Sequence, residues 1–380
     1  YATIGNNEGI GLAKNELDCL YEQAKFQPII GNLKDEGRQP EWAKPYLIHK
    51  TKAGTNIAFL AYTFPYYITY APNGWQVLEP MARLEEDLAR PEVRDADIVV
   101  VLSHLGVRYD EQIAETYPQV NLVIGSHTHH LFEEGKLVNE TYLAAADRYG
   151  YYLGCIDLTV ENGRLIECQI EAIPTKSYIL DLDKEDEAFI KAMREEGHRR
   201  LAQKKVANLG RELDFDETCQ LVLQAVCQET HSQLTLLNTG LIMKTLGPQV
   251  TMADLQEALP HQMRMARLVV TGQELKEICQ EVFTKAELLK NQAIKGMGFR
   301  GKTFGEVITG NFAYKNGNLL YNRRVVDSNE KFSLVLVDQY YFASYFPTIK
   351  EKEVTLLFPD LLRELVAKYL GKNGANWDKI

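Results

Sequence analysis

At 380 residues the chain is too long for one ordinary core, and a prior of about 100–200 residues per domain gives two domains. Its 45% hydrophobic and 25% charged content is that of a globular protein and argues against disorder or low complexity. A formal net charge of −10 repels polyanions and so argues against nucleic-acid binding, whereas a small phosphorylated substrate is compatible, because bound cations reverse the field locally. No apolar run approaches the roughly 18 residues of a membrane span; the greasiest stretch, Ile57 to Tyr70, is broken by Thr63 and Pro65. The six cysteines (Cys19, Cys155, Cys168, Cys219, Cys227, Cys279) lack metal-like spacing and are expected as buried, reduced thiols in a cytoplasmic setting. The sequence opens on Tyr1, almost inside a motif, so an N-terminal piece is expected to be missing.

In chain order, Asp97–Ser103 is a continuous apolar run, as in a strand buried on both faces. Asp110–Tyr117 has helical spacing and stops at Pro118, and Asn121–Gly125 is a second buried strand. Leu153–Val160 and Arg164–Ile170 flank Asn162-Gly163, a strong hairpin signal, and this hairpin closes the first domain. Asp183–Lys205 is dense in charge, with only Phe189, Ile190, Met193 and Leu201 as larger apolar groups, and reads as a solvated helix between domains. A second α/β region follows: helices at Phe215–Gln228, Ala253–Ala258 and Gly272–Lys285, strands at Leu234–Leu237 and Arg267–Val270, and a hairpin around Lys315-Asn-Gly-Asn318. The expected layout is a first domain over 1–178, a linker helix over 179–209 and a second domain over 210–380.

Three of the eight histidines fall just beyond buried strands: His104 after Ser103, and His127 and His129 after Gly125. Ligands gather at the carboxyl ends of strands in such sheets. His127 and His129, two apart in extended backbone, are expected to point to one side while Thr128 points away, and His130 faces the other way or supports from behind. Imidazoles so placed suit Zn, Mn or Fe.

Gly5-Asn6-Asn7-Glu8, Ser103-His104-Leu105-Gly106 and Gly125-Ser126-His127-Thr128-His129, in that order, resemble the calcineurin-like metallophosphoesterases. The C-terminal half resembles the two-domain 5'-nucleotidase and UDP-sugar hydrolase branch, through Asn238-Thr-Gly-Leu-Ile-Met243, Leu259-Pro260-His261, Val270-Thr271-Gly272-Gln-Glu-Leu275 and Asp338-Gln-Tyr-Tyr341. The resemblance implies an α/β fold with a sandwich-type metallophosphoesterase domain, N-terminally incomplete in this chain, followed by an α/β substrate domain. It implies Asn6, His104 and His127 as ligands of one divalent metal, His129 as a ligand of another (Mn, Zn, Fe or Mg), and Asn7 as the residue at the phosphate. It implies Asn238 and Tyr340 or Tyr341 on the substrate, and two-metal activation of hydroxide against a phosphoester or phosphoanhydride, with a nucleotide or similar metabolite as substrate. A degenerate, non-catalytic nucleotide sensor is the rival reading.

The sequence departs from the pattern in several places. The family's Asp-x-His and following Gly-Asp motifs do not occur in it and are expected ahead of Tyr1, so these 380 residues alone are expected to be metal-poor and inactive. Asn7 stands where the family usually has His, and Met243 where it has a substrate-binding Arg. His261 aligns with the base-stacking aromatic, and no Gly-Gly-Asp-Gly follows Asp338. Gly296-Met-Gly-Phe-Arg-Gly301 spells a dinucleotide fingerprint, but a helical segment precedes it and a strand-like one follows, the reverse of what that motif needs. Such a loop, with Lys295, Arg300 and Lys302, offers an anion site in place of the missing Arg.

Overall fold

The computed structural model describes residues 1–177, 184–294, 298–343 and 345–374, and every structural count or absence refers to these. The chain divides into two compact units, Tyr1–Asp183 and Lys184–Ile380.

The first unit opens with two short helices, α1 (Asn6–Gly11) and α2 (Lys14–Leu20). Strands β1 (Tyr46–Lys50) and β2 (Asn56–Thr63), helix α3 (Pro80–Leu88), strand β3 (Ile98–His104), helix α4 (Val107–Thr116), and strands β4 (Leu122–Gly125), β5 (Lys136–Val138) and β6 (Thr141–Ala144) then build one six-stranded sheet in the order β1-β2-β3-β4-β6-β5. The central pairs β2–β3, β3–β4 and β4–β6 are parallel and the outer pairs are antiparallel. The run Ile98–Val101 is β-branched throughout and fully buried, as a central strand covered on both faces requires. Its alternation divides the core. Val99 and Val101 pack with Leu84 of α3 and Ile113 of α4. Ile98 and Val100 face the hairpin β7 (Tyr152–Glu161) and β8 (Arg164–Pro174), which supplies Ile156, Leu158 and Ile170 to the opposite face. Each such buried side chain contributes roughly 1.5–3 kcal/mol by leaving water. The hairpin turns at Asn162-Gly163, as the sequence predicts.

In the second unit come α5 (Lys184–Gln203), α6 (Phe215–Glu229), β9 (Leu234–Asn238), α7 (Met252–Ala258), β10 (Arg264–Thr271), α8 (Gly272–Leu289), β11 (Val307–Gly310), the hairpin β12 (Phe312–Lys315) and β13 (Asn318–Tyr321), β14 (Lys331–Val337), β15 (Thr355–Leu361) and α9 (Leu362–Asn373). Five of the strands form a mixed sheet in the order β11-β9-β14-β10-β15, with only β9–β14 parallel. Asp214 and Glu217 cap α6 reciprocally, side chain to backbone N–H, which fixes where the helix starts. The charged helix α5 belongs to this unit and packs on α7; residues 179–183 of the expected linker lie outside the described residues.

The cysteines differ from expectation. Cys219, Cys227 and Cys279 are buried, but Cys19 and Cys155 are exposed and Cys168 is half-buried; all six are free thiols. Among the described residues no helix is long and apolar enough to cross a membrane.

Candidate metal centre

Asn6 is the first residue of α1 and is only 8% exposed. The N–H of Gly5 donates to Glu8 Oε2 at 2.8 Å, which ties the turn before α1. A Cβ on Gly5 would stand 2.9 Å from His104 Cε1, so a larger residue there would push the ring aside. Glycine lets the His104 imidazole lie across the start of α1.

His104 ends β3, and His127 follows the end of β4. The parallel register sets Ser103 beside Gly125, so the two strand ends lie side by side. His104 Nε2 is 2.9 Å from Asn6 Oδ1, His127 Nδ1 is 3.0 Å from the same oxygen, and the two nitrogens are 3.3 Å apart. The His127 ring stacks on Phe64 at 4.9 Å and 17° and meets Tyr66 edge-on. Burial, followed by the neighbouring His127 and His129, pushes the His104 pKa down to about 4. His127 is lowered by burial and then by His129. Both rings are therefore neutral at physiological pH and carry a free lone pair.

The trio fits a divalent cation. Ligands about 2.1 Å from a metal lie about 3.0 Å apart at adjacent octahedral positions and about 3.4 Å apart in a tetrahedron. The three observed spacings, 2.9, 3.0 and 3.3 Å, fall within that range. Two neutral imidazoles and an amide oxygen form a donor set for Zn, Mn or Fe. Among the described residues no three His, Cys, Asp or Glu side chains converge as a metal-holding group; here the third donor is an amide. The nearby carboxylate of Glu8 is engaged by the Gly5 N–H.

His129 departs from the sequence reading. His127 and His129 do not lie in extended backbone: their φ values are +68° and +54°. Strand β4 has ended, and the chain turns, with the Thr128 N–H donating to the Ser126 carbonyl at 2.8 Å. His129 is exposed and outside the hydrogen-bonded trio, although near enough for its charge to act on both other rings. His130 lies 2.9 Å from Thr128 Oγ1, which accepts the Val107 N–H at the start of α4. Asn7 is exposed beside the trio and lines an open cavity of ≈ 720 Å³, together with Gly5, Glu8, Tyr21, Phe26 and His104.

The second-unit residues fare differently. Asn238 is 1% exposed, its Nδ2 donates to the Phe304 carbonyl, and its Oδ1 accepts the Tyr340 hydroxyl at 2.7 Å. The resemblance implies this residue on the substrate; its amide is engaged inside the core instead. A Cβ on Gly240 would collide with the carbonyls of Thr303 and Phe304. Thr239 adds two bonds to Glu306, so the whole Asn-Thr-Gly turn braces residues 303–306. Tyr340 is buried and Tyr341 half-buried. His261 is buried, stacks on Phe299 at 4.8 Å and accepts the Arg300 N–H. The Arg300 side chain is exposed, and Lys295, Gly296 and Met297 lie outside the described residues. Met243 is 42% exposed.

Sequence reasoning missed Ser126 as a contact of His104, and Phe64 and Tyr66 as the wall behind His127. The break at Thr63 and Pro65 was the only sign that β2 ends where an aromatic wall begins.

No known family profile matches the chain. The uncharacterized metallophosphoesterase YunD of Bacillus subtilis (strain 168) is 34% identical over 387 aligned residues, 96% of this chain and 82% of that protein. Among solved structures, the NAD nucleotidase NadN of Haemophilus influenzae superposes with a TM-score of 0.58 at 13% identity, over 97% of this chain and 81% of that one. A 5'-nucleotidase precursor from Thermus thermophilus gives 0.50 at 16% identity, over 97% and 80%. The structures show a shared fold and the bacillar relative a shared family: the chain belongs to the metallophosphoesterases and is a hydrolase on the two-domain 5'-nucleotidase fold.

Proposed function

We propose that the enzyme to which this chain belongs hydrolyses a phosphoester or phosphoanhydride bond of a small phosphorylated metabolite, such as a nucleotide, with two divalent cations. Asn6, His104 and His127 would hold one, and His129 would contribute to the other. The observation that carries this reading is the trio itself: three lone-pair atoms within 3.3 Å of one another beside an open cavity. The naming of NadN for NAD supports a nucleotide as substrate.

When bound, the cations supply Lewis acidity and positive charge at the phosphoryl group. The chain's own residues would do the rest. His104 and His127 stay unprotonated because burial disfavours their charged forms. Asn7 offers its amide N–H to a phosphoryl oxygen but cannot carry a proton to a leaving group at neutral pH. The substrate's leaving group must therefore depart with little help, which favours phosphoanhydrides and aryl phosphates over alkyl monoesters. Arg300 would attract the substrate's remaining anionic groups, and Tyr341 would offer a ring face.

Turnover of mono- and bis-p-nitrophenyl phosphate by the intact enzyme, rather than by these 380 residues alone, tests the reading. EDTA should abolish it, and one of Mn, Zn, Fe or Mg should restore it. Turnover indifferent to EDTA would sink the metal reading. Across a series of aryl and alkyl phosphates, the rate should fall steeply as the leaving group becomes more basic. Asn7→His should flatten that dependence; an unchanged slope would show that Asn7 does not govern protonation of the leaving group.

A further inference from the structure

We infer that Ser126 is a positioning residue that lets His104 exchange tautomers, receiving the ring proton at Nδ1 when the Nε2 lone pair is needed by a cation. The inference rests on the metal reading above.

Ser126 is fixed before its side chain acts. Its N–H donates to the Ser103 carbonyl at 2.9 Å and so continues the β3–β4 pairing one residue past Ser103 and Gly125. That places its hydroxyl 2.7 Å from His104 Nδ1 and 3.3 Å from the Ser103 carbonyl oxygen. The neighbouring Ser103 hydroxyl does not compete, because it donates to the Asp110 carboxylate.

Counting protons shows why a hydroxyl suits this place. A neutral imidazole carries one N–H, and a hydroxyl carries one hydrogen and two lone pairs. In the tautomer with the ring proton on Nε2, which suits the site without a cation, that N–H donates to Asn6 Oδ1 at 2.9 Å and the Ser126 O–H donates to Nδ1. A cation facing Asn6, His104 and His127 requires the Nε2 lone pair, so the ring proton must move to Nδ1. There Ser126 Oγ accepts it, and the hydroxyl hydrogen turns to the Ser103 carbonyl. A group that only donates would oppose one of the two states. A hydroxyl serves both without moving its oxygen.

Groups that orient a metal-binding histidine through its other nitrogen are typically worth about 10–100-fold in metal affinity. Ser126 is exposed, so water partly replaces it, and the lower end is expected. Zinc affinity of the full chain, measured by competition with a chelating dye, should weaken about tenfold in Ser126→Ala and return to within about threefold of wild type in Ser126→Thr. Nitrogen-15 NMR should show His104 gaining a proton at Nδ1 and losing it at Nε2 when zinc is added to wild type. Ser126→Ala binding zinc as tightly as wild type overturns the inference, and so does Ser126→Thr binding as weakly as Ser126→Ala. Zinc that leaves the His104 nitrogens unmoved overturns the metal reading and this inference together, so the two failures are distinct.

Discussion

At the ends of β3 and β4 in the first unit, three polar side chains face one another beside an open cavity; at the end of β9 in the second, Asn238 is sealed in the core. Both places are the carboxyl ends of strands in an α/β unit, where ligands usually bind. They differ in how donors match acceptors. In the second unit both side-chain contacts of Asn238 join a donor to an acceptor, and they hold the amide inside the core. In the first, Asn6 Oδ1 and two imidazole nitrogens converge with at most two protons among them when both rings are neutral. An excess of lone pairs held in one place is what a cation satisfies, whereas a matched set is what a core requires.

The largest expected effect tests that contrast directly. His104→Ala should reduce metal-dependent turnover about 10³-fold, or about 4 kcal/mol of barrier, while unfolding in urea stays close to wild type. Asn238→Ala should do the opposite. It strands the Tyr340 hydroxyl in the core and removes a bond to Phe304, at a cost of about 3 kcal/mol. The folded variant should bind zinc as wild type does. Loss of zinc affinity in folded Asn238→Ala would break the comparison, and so would global destabilisation by His104→Ala.

Some of this was legible in the sequence, for physical reasons that can be named. Ile98–Val101 announces a buried strand because an unbroken β-branched run has no face to give to water. The turn at Asn162-Gly163 announces its hairpin because the signal is local. His104 and His127 were legible as candidates because each follows a buried strand, and their grouping came from the resemblance; the parallel register sets the two strand ends side by side. What was not legible depends on distant contacts. The burial of Asn238 is decided by Phe304 and Tyr340, 66 and 102 residues away. The left-handed backbone at His127 and His129 goes with a turn in which Thr128 caps α4, and no pattern of residue types announces it. Ser126 acquires a role only through His104, 22 positions earlier.

The second unit also contains a charge that its burial should make visible in stability. Asp338 is half-buried and accepts the Arg264 N–H at 3.1 Å. Burial pushes its pKa from 3.8 up to about 7, against the Arg264 N–H, the Arg264 charge and the Gln339 N–H, which lower it. Between pH ~4 and pH ~7 the folded chain keeps a proton that the unfolded chain has lost, so stability should fall as pH rises across that window and level off above it. The slope is at most about 1.4 kcal/mol per pH unit. His261, pushed down to about 4 mainly by burial, slopes the other way between about 6.5 and 4. The test is therefore the difference in urea-unfolding free energy between wild type and Asp338→Asn at several pH values. A difference that does not change with pH would show that Asp338 ionises normally.

The smallest expected effect asks whether the second unit offers any charge to substrate at all. The Arg300 guanidinium contacts only Gln262 Oε1 at 3.2 Å and the Phe299 carbonyl at 3.4 Å, and among the described residues no carboxylate pairs with it. Its backbone is held better than its side chain, by the bond to His261 Nδ1 at 3.0 Å. If Arg300 serves the substrate as proposed, an exposed cation of this kind would act on an anionic group from a distance and lower KM without touching the reacting atoms. Arg300→Ala should raise KM about three- to fivefold at low salt and leave kcat unchanged. The rise should shrink towards 0.5 M salt, where the Debye length falls to about half its physiological value. A change in kcat would place Arg300 in the chemistry instead. A salt-independent rise would mean a direct, desolvated contact, and the contrast between an open first unit and a sealed second one would then need redrawing at this loop.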